Sequence, residues 1–203
     1  MFGKIIGTGS YVPKEIVTNK DLAQYLDTDD TWIRERTGVK SRHISGDKET
    51  TADMAVKAAE KALENSGLLP DEIDLIIVSS VSSNLVLPST ACFVQKAINA
   101  KNAFCFDINV ACTGFITAYN ISQTFINTGL INTALIIGAE SLSKITDWSD
   151  RKTCILFGDG AGAVVIKKDE NAMFETVMFS NGKNGDALTM ENPFALRKTN
   201  LGK

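Results

Sequence analysis

Apolar and polar positions along the chain alternate between two periods, and the switches divide it into strands and helices. KIIGTGSYVP (4–13) reads as a short strand ending in turn chemistry at Gly7, Gly9 and Pro13. In TNKDLAQYLDTDDTWIRERTG (18–38), Thr18 or Asn19 can cap a helix with Leu22, Tyr25 and Leu26 on one face, and a second short helix around Trp32 stops at Gly38. The clearest helical period lies in TTADMAVKAAEKALENSG (50–67), capped by Thr50 or Thr51, filled with alanine and closed by Gly67. PDEIDLIIVSS (70–80) carries a continuous apolar run, which predicts a strand buried on both faces. STACFVQKAIN (89–99) predicts a helix, NAFCFDINV (102–110) a strand, TGFITAYNISQTFINTG (113–129) a helix ending at Gly129, and INTALIIGAES (131–141) another buried strand. After the polar loop LSKITDWSDRKT (142–153), CILFGDGAGAVVIKKD (154–169) reads as two strands pinched by a glycine turn.

Strands alternating with helices over more than a hundred residues predict an α/β fold with a mostly parallel or mixed central sheet covered by helices. The tail from Asn181 is polar and glycine-punctuated and ends without a closing element, as if cut off in a loop. A composition of 44% hydrophobic and 22% charged residues is that of a globular domain and excludes disorder. The net charge of −3 offers no footprint for nucleic acid, and the basic run RERTGVKSRH (34–43), interrupted by Glu35, reads as a solvated face. No apolar stretch approaches membrane-spanning length and the amino terminus lacks a signal-peptide layout, so a cytoplasmic protein without membrane partners is expected.

The four cysteines have no CxxC spacing, and one histidine cannot complete an ordinary zinc set, so no metal site is expected. In a reducing compartment they are free thiols, with Cys92, Cys105 and Cys154 read as small buried hydrophobes. Cys112 falls where a predicted strand becomes a predicted helix. The unpaired N–H groups of a helix start favour negative charge there, and the cysteine's own N–H points where an oxyanion would form. Spacing leaves a second reading open, a thiol packed beside Ala111 and Phe115. GDGAGA (158–163) looks like a dinucleotide fingerprint, but it leads into a strand and so reads as a tight turn. His43, the sole imidazole, is the one candidate for a Cys–His dyad within the chain and equally suits a structural hydrogen bond.

KIIGTGSYVP, TDDTWIRERTGVKSRHI, DINVACTGF and DRKTCILFGDGAGA, in this order and spacing, resemble the β-ketoacyl-acyl carrier protein synthase III family of the thiolase fold, over Met1 to about residue 190. The resemblance implies a thiolase-like, layered helix-sheet-helix architecture, with residues 1–170 as the amino-terminal half and 171–203 as the start of the second half. It implies a decarboxylative condensation in which an acyl group passes from acyl-coenzyme A to Cys112 and then joins malonyl-acyl carrier protein. Coenzyme A thioester is then a substrate, and no cofactor is expected. By the same likeness Trp32 and Arg151 sandwich the adenine of coenzyme A, Arg36 contacts its phosphate, and Thr28 is a lesser contact. Leu87, in NLVLPST, matches the residue that reaches across a homodimer into the partner's acyl pocket. The family's catalytic histidine and asparagine belong to its carboxy-terminal half. His43 does not match that histidine's motif, so the catalytic set within these residues is expected to be incomplete, which keeps open a half-subunit that binds acyl thioesters without catalysis.

Overall fold

The computed structural model describes residues 1–190. The segment 191–203, the later part of the expected 171–203 unit and of its terminal loop, lies outside the described residues. The described residues form seven strands: β1 (Phe2–Tyr11), β2 (Glu15–Thr18), β3 (Ser41–Ile44), β4 (Leu75–Ser79), β5 (Phe104–Ile108), β6 (Thr133–Ser141) and β7 (Asp159–Asp169). Five α-helices join them: α1 (Asn19–Leu22), α2 (Asp30–Thr37), α3 (Thr51–Ser66), α4 (Thr90–Ile98) and α5 (Gly114–Asn127). Among these described residues no helix is long and apolar enough to cross a membrane.

The main sheet runs β1-β7-β6-β4-β5, with β4 parallel to both β5 and β6, and β7 antiparallel to both β1 and β6. It is therefore mixed, as the strand-helix alternation predicts. One apolar cluster joins its α3 and α4 face through Met54, Ala58, Ile76, Val94 and Leu135; a second joins its α5 face through Leu75, Ile77, Ala118, Ile126 and Ile136. Helix, sheet and helix thus form three layers, and every residue of β4 is buried between them.

The predicted caps of α3 are present: Thr50 accepts from the Asp53 N–H, Asp53 reciprocates on the Thr50 N–H, and Gly67 closes the helix at φ 70°. This helix lies on β1 with almost nothing between the backbones. A β-carbon on Gly9 would stand 2.2 Å from the Ala58 carbonyl oxygen, which explains both the glycines in β1 and the buried alanine stripe Ala55, Ala58, Ala59 and Ala62 opposite.

Several expectations need correction. CILFG is not a strand: Asp150 accepts from the Lys152 N–H and the Thr153 hydroxyl, the Cys154 N–H bonds back to the Asp150 carbonyl at 3.0 Å, and the run coils. Its apolar residues Cys154 and Ile155 fill a third cluster with Leu22 and Ile33 instead of a sheet. The GDGAGA segment is not a tight turn, since β7 begins at Asp159 and Gly162 pairs with both Ser10 and Gly138. The basic run is not wholly a solvated face, because Arg42 is only 4% exposed, on a strand β3 that pairs with β2 and that the pattern does not predict. Helix α1 stops at Leu22, leaving Tyr25 exposed. Of the three cysteines read as buried, Cys154 is; Cys92 and Cys105 are half-buried.

Candidate active site

Chain leaving β5 passes through a single 3-10 turn, Ala111–Thr113, and enters α5 directly. Ala111 adopts φ 45°, a left-handed conformation that costs an L-residue about 1–2 kcal/mol. Cys112 is carried on this sharp turn, exposed to solvent, at the amino end of α5 as expected. Thr113 does not cap α5 with its side chain; its hydroxyl donates back to the Val110 carbonyl at 3.1 Å. The helix start therefore keeps its anion-favouring character next to the thiol. Gly114 presses on the end of β4, where a β-carbon would lie 1.7 Å from Ser79 Oγ.

A second group of predicted residues converges at α2. Asp29 caps that helix by accepting from the Trp32 N–H at 2.8 Å, and the Trp32 ring is half-buried against the Leu22–Ile33–Cys154–Ile155 cluster. The guanidinium carbons of Arg36 and Arg151 lie 4.2 and 4.9 Å from its ring centroid. Arg151 is held there by the Asp27 carbonyl oxygen and by Asp27 Oδ2 at 3.3 Å. Thr28 Oγ1, one residue on, is buried with no hydrogen-bond partner among the described residues. Trp32, Arg36, Arg151 and Thr28 are thus brought together. Leu87 sits in the exposed stretch between β4 and α4, itself 82% exposed, and among the described residues no hydrogen bond or ion pair links it or Cys112 to the Trp32 group. His43 takes the structural role, with Nδ1 2.6 Å from the Pro13 carbonyl oxygen.

Pattern reading misses the polar residues that hold these pieces. Arg42 donates to the Val17 and Ile155 carbonyls and to Asn19 Oδ1 at 2.9–3.1 Å, while Asn19 in turn donates to Asp30 Oδ1 at 2.9 Å, so one buried side chain ties the Trp32 helix to the Arg151 loop. Burial holds its guanidinium below the ordinary arginine range. Asp107, at the end of β5, accepts from the Thr90 and Ala91 N–H groups at 2.6 and 2.8 Å and so caps α4 from outside. Glu140 accepts from the Val81 and Ser82 N–H groups, and Asp159 from those of Ser45 and Ser143. Only a carboxylate several residues from any helix start signals such roles, and that signal is not specific. Among the described residues no cluster of three or more His, Cys, Asp and Glu side chains is arranged for a metal ion. A groove of about 560 Å³ along β1 and α3 contains none of the site residues, and Lys61 and Asn65 within it are occupied by the Ser10 and Thr8 carbonyls.

Residues 106–182, which include Cys112 and Arg151, match the profile of 3-oxoacyl-[acyl-carrier-protein] synthase III. The chain is 53% identical over 201 residues to the β-ketoacyl-[acyl-carrier-protein] synthase III of Clostridium acetobutylicum, a match covering 96% of this chain and 62% of the relative. It is 45% identical over 189 residues to that of Xanthomonas campestris pv. campestris, covering 93% of this chain and 58% of the relative. The crystal structure of the Aquifex aeolicus 3-oxoacyl-[acyl-carrier-protein] synthase III superposes with a TM-score of 0.81 at 50% identity, over 83% of this chain and 55% of that one. The Thermus thermophilus β-ketoacyl-[acyl-carrier-protein] synthase III superposes with a TM-score of 0.88 at 38% identity, over 93% and 59%. The chain spans about three fifths of the length of the curated relatives it matches. Sequence, profile and thiolase-like fold agree: the chain belongs to the β-ketoacyl-[acyl-carrier-protein] synthase III family of condensing enzymes, of whose members it represents the amino-terminal portion.

Proposed function

We propose that this chain supplies the acyl-transfer part of a condensing enzyme that initiates fatty-acid synthesis. Cys112 attacks the carbonyl of an acyl-coenzyme A, and a tetrahedral oxyanion forms beside the Cys112 N–H. Its collapse expels coenzyme A thiol and leaves an acyl-cysteine. The acyl group then joins the carbanion formed when malonyl-acyl carrier protein loses CO2, giving 3-oxoacyl-acyl carrier protein. The exposed thiol on a strained turn at a helix start is the observation that carries this reading.

Trp32, Arg36, Arg151 and Thr28 form the coenzyme A site in this proposal. A flat base seated between Trp32 and Arg151 at roughly 3.5 Å from each needs about 7 Å between them. Arg151 lies at 4.9 Å and therefore swings outward to admit it. That motion is inexpensive, because the Arg151–Asp27 pair that must yield is solvent-exposed and such pairs contribute about 0–1 kcal/mol. Arg36, exposed and lying over the ring at 4.2 Å from its centroid, supplies the charge to meet a phosphate. A homodimer is proposed through the β5 edge of the sheet, where Phe104 is exposed and the nearby Leu85, Val86 and Leu87 stand in solvent; Leu87 then reaches the partner's acyl pocket. The condensation half-reaction requires the histidine and asparagine of a carboxy-terminal half, since the chain's one histidine is engaged with Pro13.

Incubating the chain with acetyl-coenzyme A and measuring intact mass tests the first step. One added acetyl group is expected on the native chain and none on Cys112→Ala, which melts at the native temperature because the thiol is exposed. An acetyl increment that persists in Cys112→Ala refutes the nucleophile. Binding of coenzyme A without any increment favours the half-subunit that binds thioesters and does not react.

A further inference from the structure

Away from Cys112, two other thiols face one another. Cys92, in the first turn of α4, and Cys105, on β5, place their sulfurs 3.4 Å apart, although they come from different elements. Their surroundings are polar as well as apolar. The Ser89 hydroxyl donates to Cys92 Sγ at 3.1 Å. Cys105 directs its S–H toward Gln95 Oε1 at 3.7 Å, and Gln95 is itself braced by a 2.6 Å bond to the Ala103 carbonyl. Between the two sulfurs themselves either thiol can donate to the other. Both residues are half-buried rather than sealed in the core. A disulfide needs sulfurs at about 2.05 Å, a closure of roughly 1.4 Å that side-chain rotation can supply.

We propose that Cys92 and Cys105 are a reversible oxidation site, at which a hydroperoxide converts the two thiols to a disulfide that clamps the first turn of α4 to β5. In the first step Cys92, as thiolate, attacks the outer peroxide oxygen. The O–O bond breaks, the remaining alkoxide or hydroxide takes a proton and leaves, and Cys92 becomes a sulfenic acid, oxidised by two electrons. In the second step the Cys105 sulfur attacks that of Cys92. The S–S bond forms, the S–O bond breaks, and the departing hydroxide leaves as water with the proton of Cys105. In sum, two thiols and one hydroperoxide give one disulfide, one alcohol or water, and one water. The Ser89 hydroxyl that donates to Cys92 Sγ steadies negative charge on that sulfur, so the first attack is assigned to Cys92, while burial first, then the hydrogen bond and charge of Cys92 and the charge of Asp107, push the Cys105 thiol up to about 12.

The bridge would lie two residues before Asp107, which caps α4, on the strand that leads to Cys112. It involves no acyl substrate, so its test is independent of the proposed acyl transfer. The 203-residue chain is treated with hydrogen peroxide, alkylated under denaturing conditions and mapped by peptide mass. The expected result is a Cys92–Cys105 linked peptide, a loss of about 2 Da and of two titratable thiols, and full reversal by dithiothreitol. In Cys105→Ala, dimedone should trap Cys92 as the sulfenic acid. A wild-type map in which Cys92 and Cys105 both remain alkylated, or in which either is linked to Cys112 or to a second chain, overturns the proposal. That map decides the matter even if the variant fails to fold.

Discussion

Replacing Gly114 with alanine places a single methyl group between the nucleophile turn and the sheet. The new β-carbon would stand 1.7 Å from Ser79 Oγ and 2.9 Å from Ser79 Cβ. The hydroxyl can rotate away, but the two carbons remain roughly 0.6 Å or more inside the 3.5–4.0 Å at which non-bonded carbons settle. Ser79 is buried at the end of β4, paired to both β5 and β6, so the strand cannot retreat and α5 must. Overpacking of this kind costs about 1–3 kcal/mol. At roughly 2–4 °C per kcal/mol for a chain of this length, the melting midpoint should fall by about 6 °C. Because Cys112 is two residues upstream, its alkylation rate by iodoacetamide should change with it. Ser79→Gly removes both offending atoms, so in that background Gly114→Ala should cost little. Thermal melts of the four proteins in the cycle, read by circular dichroism, measure the coupling. If the single changes add within about 0.5 kcal/mol, or if Gly114→Ala melts with the wild type, the close approach does not exist as described.

Three further outcomes follow from the same packing and hydrogen bonds. Gly9→Ala should be more damaging than Gly114→Ala, by about 1 kcal/mol or more, since its β-carbon meets the Ala58 carbonyl at 2.2 Å and the Ala62 nitrogen at 2.4 Å, which are backbone atoms that cannot rotate aside; equal urea midpoints would contradict this. Arg42→Met leaves the Val17 and Ile155 carbonyls and Asn19 Oδ1 without their donor, at about 3 kcal/mol or more. Trp32 fluorescence should shift as the Arg151 loop comes free, and an unchanged spectrum in a folded variant would count against the tie. Glu49 is raised by burial but lowered more by its bonds to Lys57 and Tyr11, so its folded value lies below the ordinary 4.5. Its contribution, about 1 kcal/mol for a partly exposed pair, is therefore present above that value and is lost as pH falls through the folded one. Glu49→Gln should be less stable than wild type at neutral pH, with the gap closing as the pH falls below the ordinary 4.5 in acid melts; a constant gap would refute the ionic origin.

Helix α3, strands β4 and β6 and the turn that carries Cys112 are legible in the sequence because local rules and tertiary packing agree there. Thr50, Asp53 and Gly67 announce the ends of α3, and LIIV and ALII are too apolar to sit anywhere but inside. Where local preference and packing disagree, the pattern misleads. CILF has the composition of a strand, but the Asx turn at Asp150 and the demand of the Leu22–Ile33 cluster for apolar partners coil it. Arg42 looks like surface charge because its acceptors lie up to 113 positions away, and no window contains both ends of such a bond. The Trp32 group is visible only through resemblance; an exposed arginine on one side and a loop arginine more than a hundred residues distant carry no joint signal in the chain.

The placement of Cys112 is a property of the whole sheet rather than of its own turn. Strands β4, β5 and β6 are parallel, so their carboxyl ends share one edge, and β7, antiparallel to β6, begins there. Three carboxylates stand at that edge: Asp107 at the end of β5, Glu140 at the end of β6 and Asp159 at the start of β7. Each accepts from two backbone N–H groups in segments that no strand pairing could hold, at α4, at Val81–Ser82, and at Ser45 with Ser143. Bonds to a charged acceptor contribute about 1.5–3 kcal/mol each, enough to keep these loops from fraying. The later turns of α5 are held as firmly, because the buried Gln123 both accepts from the Gly3 N–H at 2.7 Å and donates to the Gly3 carbonyl at 2.8 Å. Two bonds from one side-chain amide fix the helix against β1 in both distance and rotation. With that amide on β1 and Gly114 pressed on β4, α5 has no freedom to slide, and the thiol before it is held at the one edge where the loops are rigid.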